Sequence, residues 1–111
     1  MPWIPLNSVS QIEAISKESH NRPQVIFKHS TTCGISRMVL NMFNSSYGLE
    51  KDAVDLYYLD IHSNRPISNE VEVFFGVRHE SPQLLIIKAG TCSFNTSHGA
   101  ITDINLKSLV Q

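Results

Sequence analysis

Residues 24–43 read QVIFKHSTTCGISRMVLNMF and contain the strand-to-helix transition on which the fold prediction depends. The run from Gln24 to Lys28 is β-branched and aromatic, which is typical of a buried strand. Apolar side chains then recur from Ile35 to Phe43 at spacings of three and four, which indicates an amphipathic helix. Cys33 lies between the two elements, and Gly48 is the expected end of the helix.

The chain on either side of this stretch alternates between helical and strand-like patterns. We predict a helix capped by Ser8 or Ser10 with Val9, Ile12 and Ile15 on one face, a strand over 54–61, a helix over 66–75, strands over 83–88 and 92–96, and a last helix capped by Thr102 or Asp103. Crossover connections make the first pair of strands parallel, and the short Ala89-Gly90 turn makes the last pair antiparallel. The expected architecture is α/β: a central mixed four-stranded sheet with helices on both faces, in one domain of residues 1–111.

Composition excludes several classes of function. The chain has 41% hydrophobic and 17% charged residues with a net charge of −1, and no basic run that would favour nucleic acid. Apolar runs are far shorter than a membrane span, and the start lacks the pattern of a secretory signal, so we expect a cytoplasmic protein. Two cysteines without zinc-ligand spacing predict reduced thiols and no metal site.

Cys33 is the residue with the clearest chemical potential. At the end of a strand and the start of a helix, its sulfur lies beside unpaired backbone N–H groups and the positive end of the helix dipole, which favour the thiolate. The alternative is a buried and inert cysteine. Ser36, three residues later, either donates a hydrogen bond to the Cys33 thiolate or satisfies a backbone carbonyl of the first turn.

Three segments resemble one known family: FKHSTTCGIS at 27–36, GVRHESPQ at 76–83 and SHGAI at 97–101. Together with WIPL at 3–6 they are similar to the YtxJ-like family, the monothiol bacilliredoxins of the bacillithiol system. The resemblance implies a thioredoxin-like fold, whose element order matches the one predicted here. The sequence departs from the family pattern at Thr32, where an arginine is expected, and at Gly34, where serine is common.

The resemblance also implies the site residues. Cys33 corresponds to the catalytic cysteine, and Ser36 occupies the position of the second cysteine of a dithiol thioredoxin, so the motif is C-x-x-S. Pro82 corresponds to a cis-proline that faces the active cysteine. Thr32, Ser81 and Pro82 are therefore predicted to bind substrate.

The function implied is a thiol-disulfide oxidoreductase that removes bacillithiol, or a similar small thiol, from mixed disulfides of client proteins. That thiol is a co-substrate and no cofactor is bound; a bacillithiol-disulfide or thioredoxin reductase is a further expected partner. The alternatives are a non-catalytic module that binds peptides or senses redox state, and a purely structural protein. The sequence leaves further roles open. Cys92 either resolves a mixed disulfide on Cys33 or is structural. His29 and Arg37 are candidates for positive charge near Cys33, and His98 is either catalytic or structural.

Overall fold

The computed structural model describes residues 3–50 and 52–111 and contains a five-stranded mixed sheet. The strands are β1 (Trp3–Pro5), β2 (Gln24–His29), β3 (Asp55–Asp60), β4 (Gln83–Lys88) and β5 (Thr91–Ser97), in the order β1-β3-β2-β4-β5. β2 is parallel to β3 and antiparallel to β4, and β4 is antiparallel to β5. The mixed sheet is confirmed, with each predicted pairing in the expected direction.

The prediction of four strands is wrong by one. β1 pairs in parallel with β3, from Trp3 opposite Leu56 to Pro5 opposite Tyr58. A three-residue strand that ends in proline carries no readable alternation, and proline is tolerated there because β1 is an edge strand.

The helices are α1 (Ser10–Glu18), α2 (Gly34–Ser46), α3 (Arg65–Phe75) and α4 (Leu106–Leu109), with a 3₁₀ helix over His98–Asp103. Neither predicted serine caps α1: Val9 is at the N-cap position, and the Gln11 side chain accepts the backbone N–H groups of Asn7 and Ser8 instead. The predicted cap of the last helix is also wrong. Thr102 and Asp103 belong to the 3₁₀ helix, and α4 is capped by the Asn105 side chain, which accepts the Ser108 N–H.

Two apolar cores cover the two faces of the sheet. One contains Ile12 and Ile15 of α1 and Val71 of α3, and the other contains Val39 and Phe43 of α2. β2 is central, and all of its residues are buried. Its alternate side chains therefore enter both cores, which fixes the helix that follows Cys33 against one face.

The predicted apolar faces are only partly buried. In α2 the side chains of Val39 and Phe43 are buried, whereas those of Ile35, Met38 and Met42 are exposed. Val9, which we placed on the buried face of α1, is exposed as well. Among the described residues, no helix is long and apolar enough to cross a membrane.

Candidate active site

Cys33 is the N-cap residue of α2 and is half-buried. Its backbone is extended (φ −104°, ψ 118°), and the helix begins at the next residue, Gly34. The Cys33 N–H donates to the carbonyl of Ser30 at 3.2 Å, and the Cys33 carbonyl accepts the N–H of Arg37 at 3.2 Å. The thiol therefore lies at a helix N-terminus, the position that the sequence predicted.

The connections around Cys33 lie at one edge of the sheet, the edge formed by the ends of the strands. β2 and β3 run in parallel, with His29 opposite Asp60, so their carboxyl ends share this edge. β4 runs antiparallel to β2 with Gln83 opposite Lys28, so β4 starts at the same edge. The predicted site residues are thereby brought to one edge: Thr32, Cys33, Ser36, Ser81 and Pro82.

Ser36 is fully buried and makes contacts that the sequence did not predict. Its Oγ accepts the N–H of Ser30 at 3.1 Å and lies 2.8 Å from His29 Nδ1. No hydrogen bond joins Ser36 to the Cys33 sulfur in the part of the chain that the structure describes. Ser36 thus ties the first turn of α2 to the end of β2, which differs from both roles considered above.

Removal of the Ser36 hydroxyl should cost stability. We expect Ser36→Ala to lower the free energy of unfolding by about 1–2 kcal/mol, because the buried Ser30 N–H loses its acceptor. Urea denaturation measures this. The matched control is Ser45→Ala on the exposed side of α2, where the lost bond is to the Asn41 carbonyl. Equal stabilities for the two variants would contradict the structural role of Ser36.

The surroundings of His29 disfavour a positive charge on its ring. Burial lowers the pKa of its imidazole below the usual value of 6.5, outweighing the opposing effect of Asp60. The ring is packed between the aromatic side chains of Phe27 and Tyr58. Burial therefore favours the neutral imidazole, and His29 serves as a partner of Ser36.

His62 is a contact residue that the sequence analysis missed. Its Nε2 lies 2.7 Å from Ser30 Oγ and 3.0 Å from Thr32 Oγ1. Its backbone N–H donates to Asp60 Oδ1 at 3.1 Å, which fixes the start of the β3–α3 connection. The His62 imidazole thus links the β3–α3 connection to the loop before Cys33. His62 and Thr32 are 30 residues apart, so no local sequence motif predicts their contact.

A buried lysine lies below the same edge, on the α3 side of the sheet. Lys28 has no exposed surface, and its Nζ is 3.2 Å from His79 Nδ1 and 3.5 Å from the Ser68 carbonyl. Burial lowers its pKa from 10.5 to about 8, only partly opposed by the charge of Glu72. Burial, followed by the charge of Lys28, also lowers the pKa of His79.

The loop before β4 contains Ser81 and Pro82. The Ser81–Pro82 peptide bond is cis, the geometry that the family resemblance implied. The Ser81 hydroxyl oxygen is buried without a hydrogen-bond partner among the described residues. Glu80 is tied to the end of β5, since its Oε2 accepts the Ser97 hydroxyl at 2.7 Å and lies 2.9 Å from His98 Nε2. His98 is thus placed as a partner of this loop.

Cys92 lies at the far end of the sheet. It pairs with Ile87, which is opposite Gln24 at the start of β2, whereas Cys33 follows the end of β2 at His29. These ends are separated by roughly 17 Å at about 3.3 Å per residue. Cys92 also packs against the core on the α1 and α3 side, away from α2. A disulfide needs Cα atoms within about 7 Å, so this fold does not permit an internal bond between the two cysteines.

The Cys92 thiol is also poorly suited to attack a disulfide. Burial raises its pKa, and its Sγ donates to the Phe94 carbonyl at 3.2 Å. Among residues 3–50 and 52–111, no group of three His, Cys, Asp or Glu side chains is arranged to hold a metal ion. Of the two thiols, Cys33 at the N-terminus of α2 is the better placed to attack a disulfide.

Solved structures share this fold. A structure described as "A putative oxidoreductase with a thioredoxin fold" is 33% identical, covering 96% of this chain and 91% of its own, with a TM-score of 0.79. The thioredoxin of Malassezia sympodialis is 22% identical over 94% of this chain and 84% of its own, with a TM-score of 0.70. That of Trypanosoma brucei brucei is 18% identical over 96% and 86%, with a TM-score of 0.72. The thioredoxin-like fold is confirmed.

The family model described as "Monothiol bacilliredoxin BrxC" matches residues 4–106 of this chain. Together with the 33% identical structure, this match identifies a thiol-disulfide oxidoreductase. The chain belongs to the monothiol bacilliredoxin family.

Proposed function

We propose that the protein removes bacillithiol, or a similar small thiol, from mixed disulfides of client proteins through nucleophilic attack by Cys33. The observation that carries this proposal is that Cys33, a half-buried thiol at the start of α2, is followed three residues later by a buried serine, Ser36. With Cys92 at the opposite end of the sheet, one thiol acts without an internal resolving partner.

The exchange balances in two steps. The Cys33 thiolate attacks the sulfur of the small thiol, a Cys33–small-thiol disulfide forms, and the client sulfur leaves as a thiolate that takes up a proton. A second molecule of the small thiol, as thiolate, then attacks the disulfide on Cys33. The products are the oxidised small-thiol dimer and free Cys33. A reductase that reduces the disulfide on Cys33 would serve the same step. A reducing cytoplasm is the setting in which this chemistry fits.

The loop before β4 supports client binding in this proposal. Neither the N–H nor the carbonyl of Ser81 has a hydrogen-bond partner in the described part of the chain, so both are free to pair with an extended segment. Backbone pairing of this kind holds peptides without demanding a particular sequence. Thr32 and Pro82 complete the proposed contact surface. The same free groups would serve a module that binds peptides without catalysis, which is the competing function.

Mass spectrometry of the intact protein tests the proposal. Wild type, Cys33→Ser and Cys92→Ser are incubated with bacillithiol disulfide and, separately, with glutathione disulfide. We expect a mixed-disulfide adduct on wild type and on Cys92→Ser, none on Cys33→Ser, and more adduct with bacillithiol. An internal disulfide, or no adduct at Cys33, would overturn the monothiol mechanism; equal adducts from both disulfides would overturn the preference for bacillithiol.

A further inference from the structure

Arg37 is an exposed cation one helical turn after Cys33. Residues four apart lie on the same face of a helix, and helical side chains lean toward the N-terminus. The bond from the Arg37 N–H to the Cys33 carbonyl confirms that this spacing is helical. The guanidinium is therefore directed back toward the loop that carries the thiol.

The structure fixes the guanidinium beside that loop. Its Nη1 donates to the Thr31 carbonyl at 3.4 Å. Its Nη2 lies 4.0 Å from the position that a Cβ would occupy at Gly34. The head group thus contacts the backbone two residues before Cys33 and approaches the residue directly after it. Among the described residues, one of its five N–H donors is used, which leaves donors available for a carboxylate.

Arg37 has no acidic neighbour in the surrounding sequence. Between His29 and Leu49 the sequence contains no aspartate or glutamate, and Arg37 is the single lysine or arginine. No ion pair of Arg37 is present among the described residues, and α2 has no acidic residue in its first turn. A cation in this position would attract an anionic group brought close to Cys33.

We propose that Arg37 determines specificity by binding a carboxylate of the small thiol while Cys33 attacks that thiol's sulfur. The inference rests on the proposed function and assigns its substrate class: small thiols that carry a carboxylate. A carboxylate approaching the Cys33 thiolate is otherwise repelled, and the guanidinium offsets that repulsion at the moment of attack.

The test uses one client protein cysteine blocked in turn with 3-mercaptopropionate, 2-mercaptoethanol or cysteamine. These small thiols are similar in size and differ in charge. For each, the rate of client release by wild type is divided by the rate for Arg37→Gln, so that intrinsic differences between the disulfides cancel. We expect a ratio of roughly five for the carboxylate, about one for the alcohol and below one for the amine. The carboxylate ratio should fall in high salt.

Two further variants make the outcome specific. Arg37→Lys should keep part of the preference, since the charge remains and the planar fork is lost. Lys17→Gln removes one exposed positive charge from α1 and should leave all three rates unchanged. Equal ratios for the three probes would overturn the role of Arg37 while the proposed function stands. Failure of wild type to release any probe would overturn both.

Discussion

Cys33→Ser is expected to reduce release of a small thiol from a client's mixed disulfide to the rate of the uncatalysed exchange. A serine hydroxyl is not ionised at neutral pH and cannot displace a sulfur, so removal of the nucleophile should cost roughly a hundredfold or more. Cys33 is the first residue before α2 and makes no side-chain hydrogen bond there, so the substitution should leave the fold intact. The readout is the appearance of free client thiol with time.

Cys92→Ser is the matched control for this experiment. Its thiol lies on β5 at the far end of the sheet, so the release rate should stay within about twofold of wild type. If Cys33→Ser still released the small thiol at the wild-type rate, the oxidoreductase mechanism proposed here would be wrong. Capture of a client that persists in Cys33→Ser without release would instead favour the peptide-binding module.

Most of the fold could be predicted because its strong elements obey simple periodicities. The strand before Cys33 is a continuous buried run, and the helix after it repeats at three and four residues. β1 escaped prediction because three residues cannot show a period, and only pairing with β3 makes Trp3–Pro5 a strand. The start of the last helix was misplaced for another reason: Thr102 and Asp103 have side chains of the capping type, yet Asn105 is the residue that caps α4.

The site was less predictable than the fold. The position of Cys33 follows from local sequence, since a strand end and a helix start define it. The contacts of Ser36, His29 and His62 depend on side-chain packing across elements, which no spacing in the sequence encodes. Thus the Ser36 hydroxyl contacts His29 rather than the Cys33 sulfur or a backbone carbonyl, the two roles considered from the sequence. His62, 30 residues from Thr32, contacts the loop before Cys33.

The strand before Cys33 also contains a signal for a buried charge, the lysine at position 28. Lys28 follows four residues that all proved to be buried, and an ionisable side chain in such a run must either reach solvent or be buried with its charge. In the structure the Lys28 side chain is fully buried. The ammonium is surrounded by His79 and the Ser68 carbonyl, and no carboxylate forms an ion pair with it among the described residues.

Lys28→Met is therefore expected to raise the free energy of unfolding at pH 7 by up to about 3 kcal/mol. The folded-state pKa of about 8 lies below the usual 10.5, and each pKa unit corresponds to roughly 1.4 kcal/mol. Below pH 8 both states bind the proton and the folded state bears the full cost of a buried charge. Between pH 8 and 10.5 the unfolded chain binds more protons, so wild-type stability should rise with pH through this window.

Denaturation in urea from pH 7 to pH 10 distinguishes this effect from other titrations. All other titratable groups are common to both proteins, so the stability difference between wild type and Lys28→Met isolates Lys28, and it should shrink as pH rises above about 8. The control is Lys17→Met on α1, where the replaced side chain is 77% exposed and paired only with Glu13 at 3.3 Å. Its difference from wild type should stay flat and small, because an exposed ammonium keeps its contact with water in the folded chain. A flat difference for Lys28→Met as well would mean that the Lys28 ammonium reaches water, and the buried charge described here would be wrong.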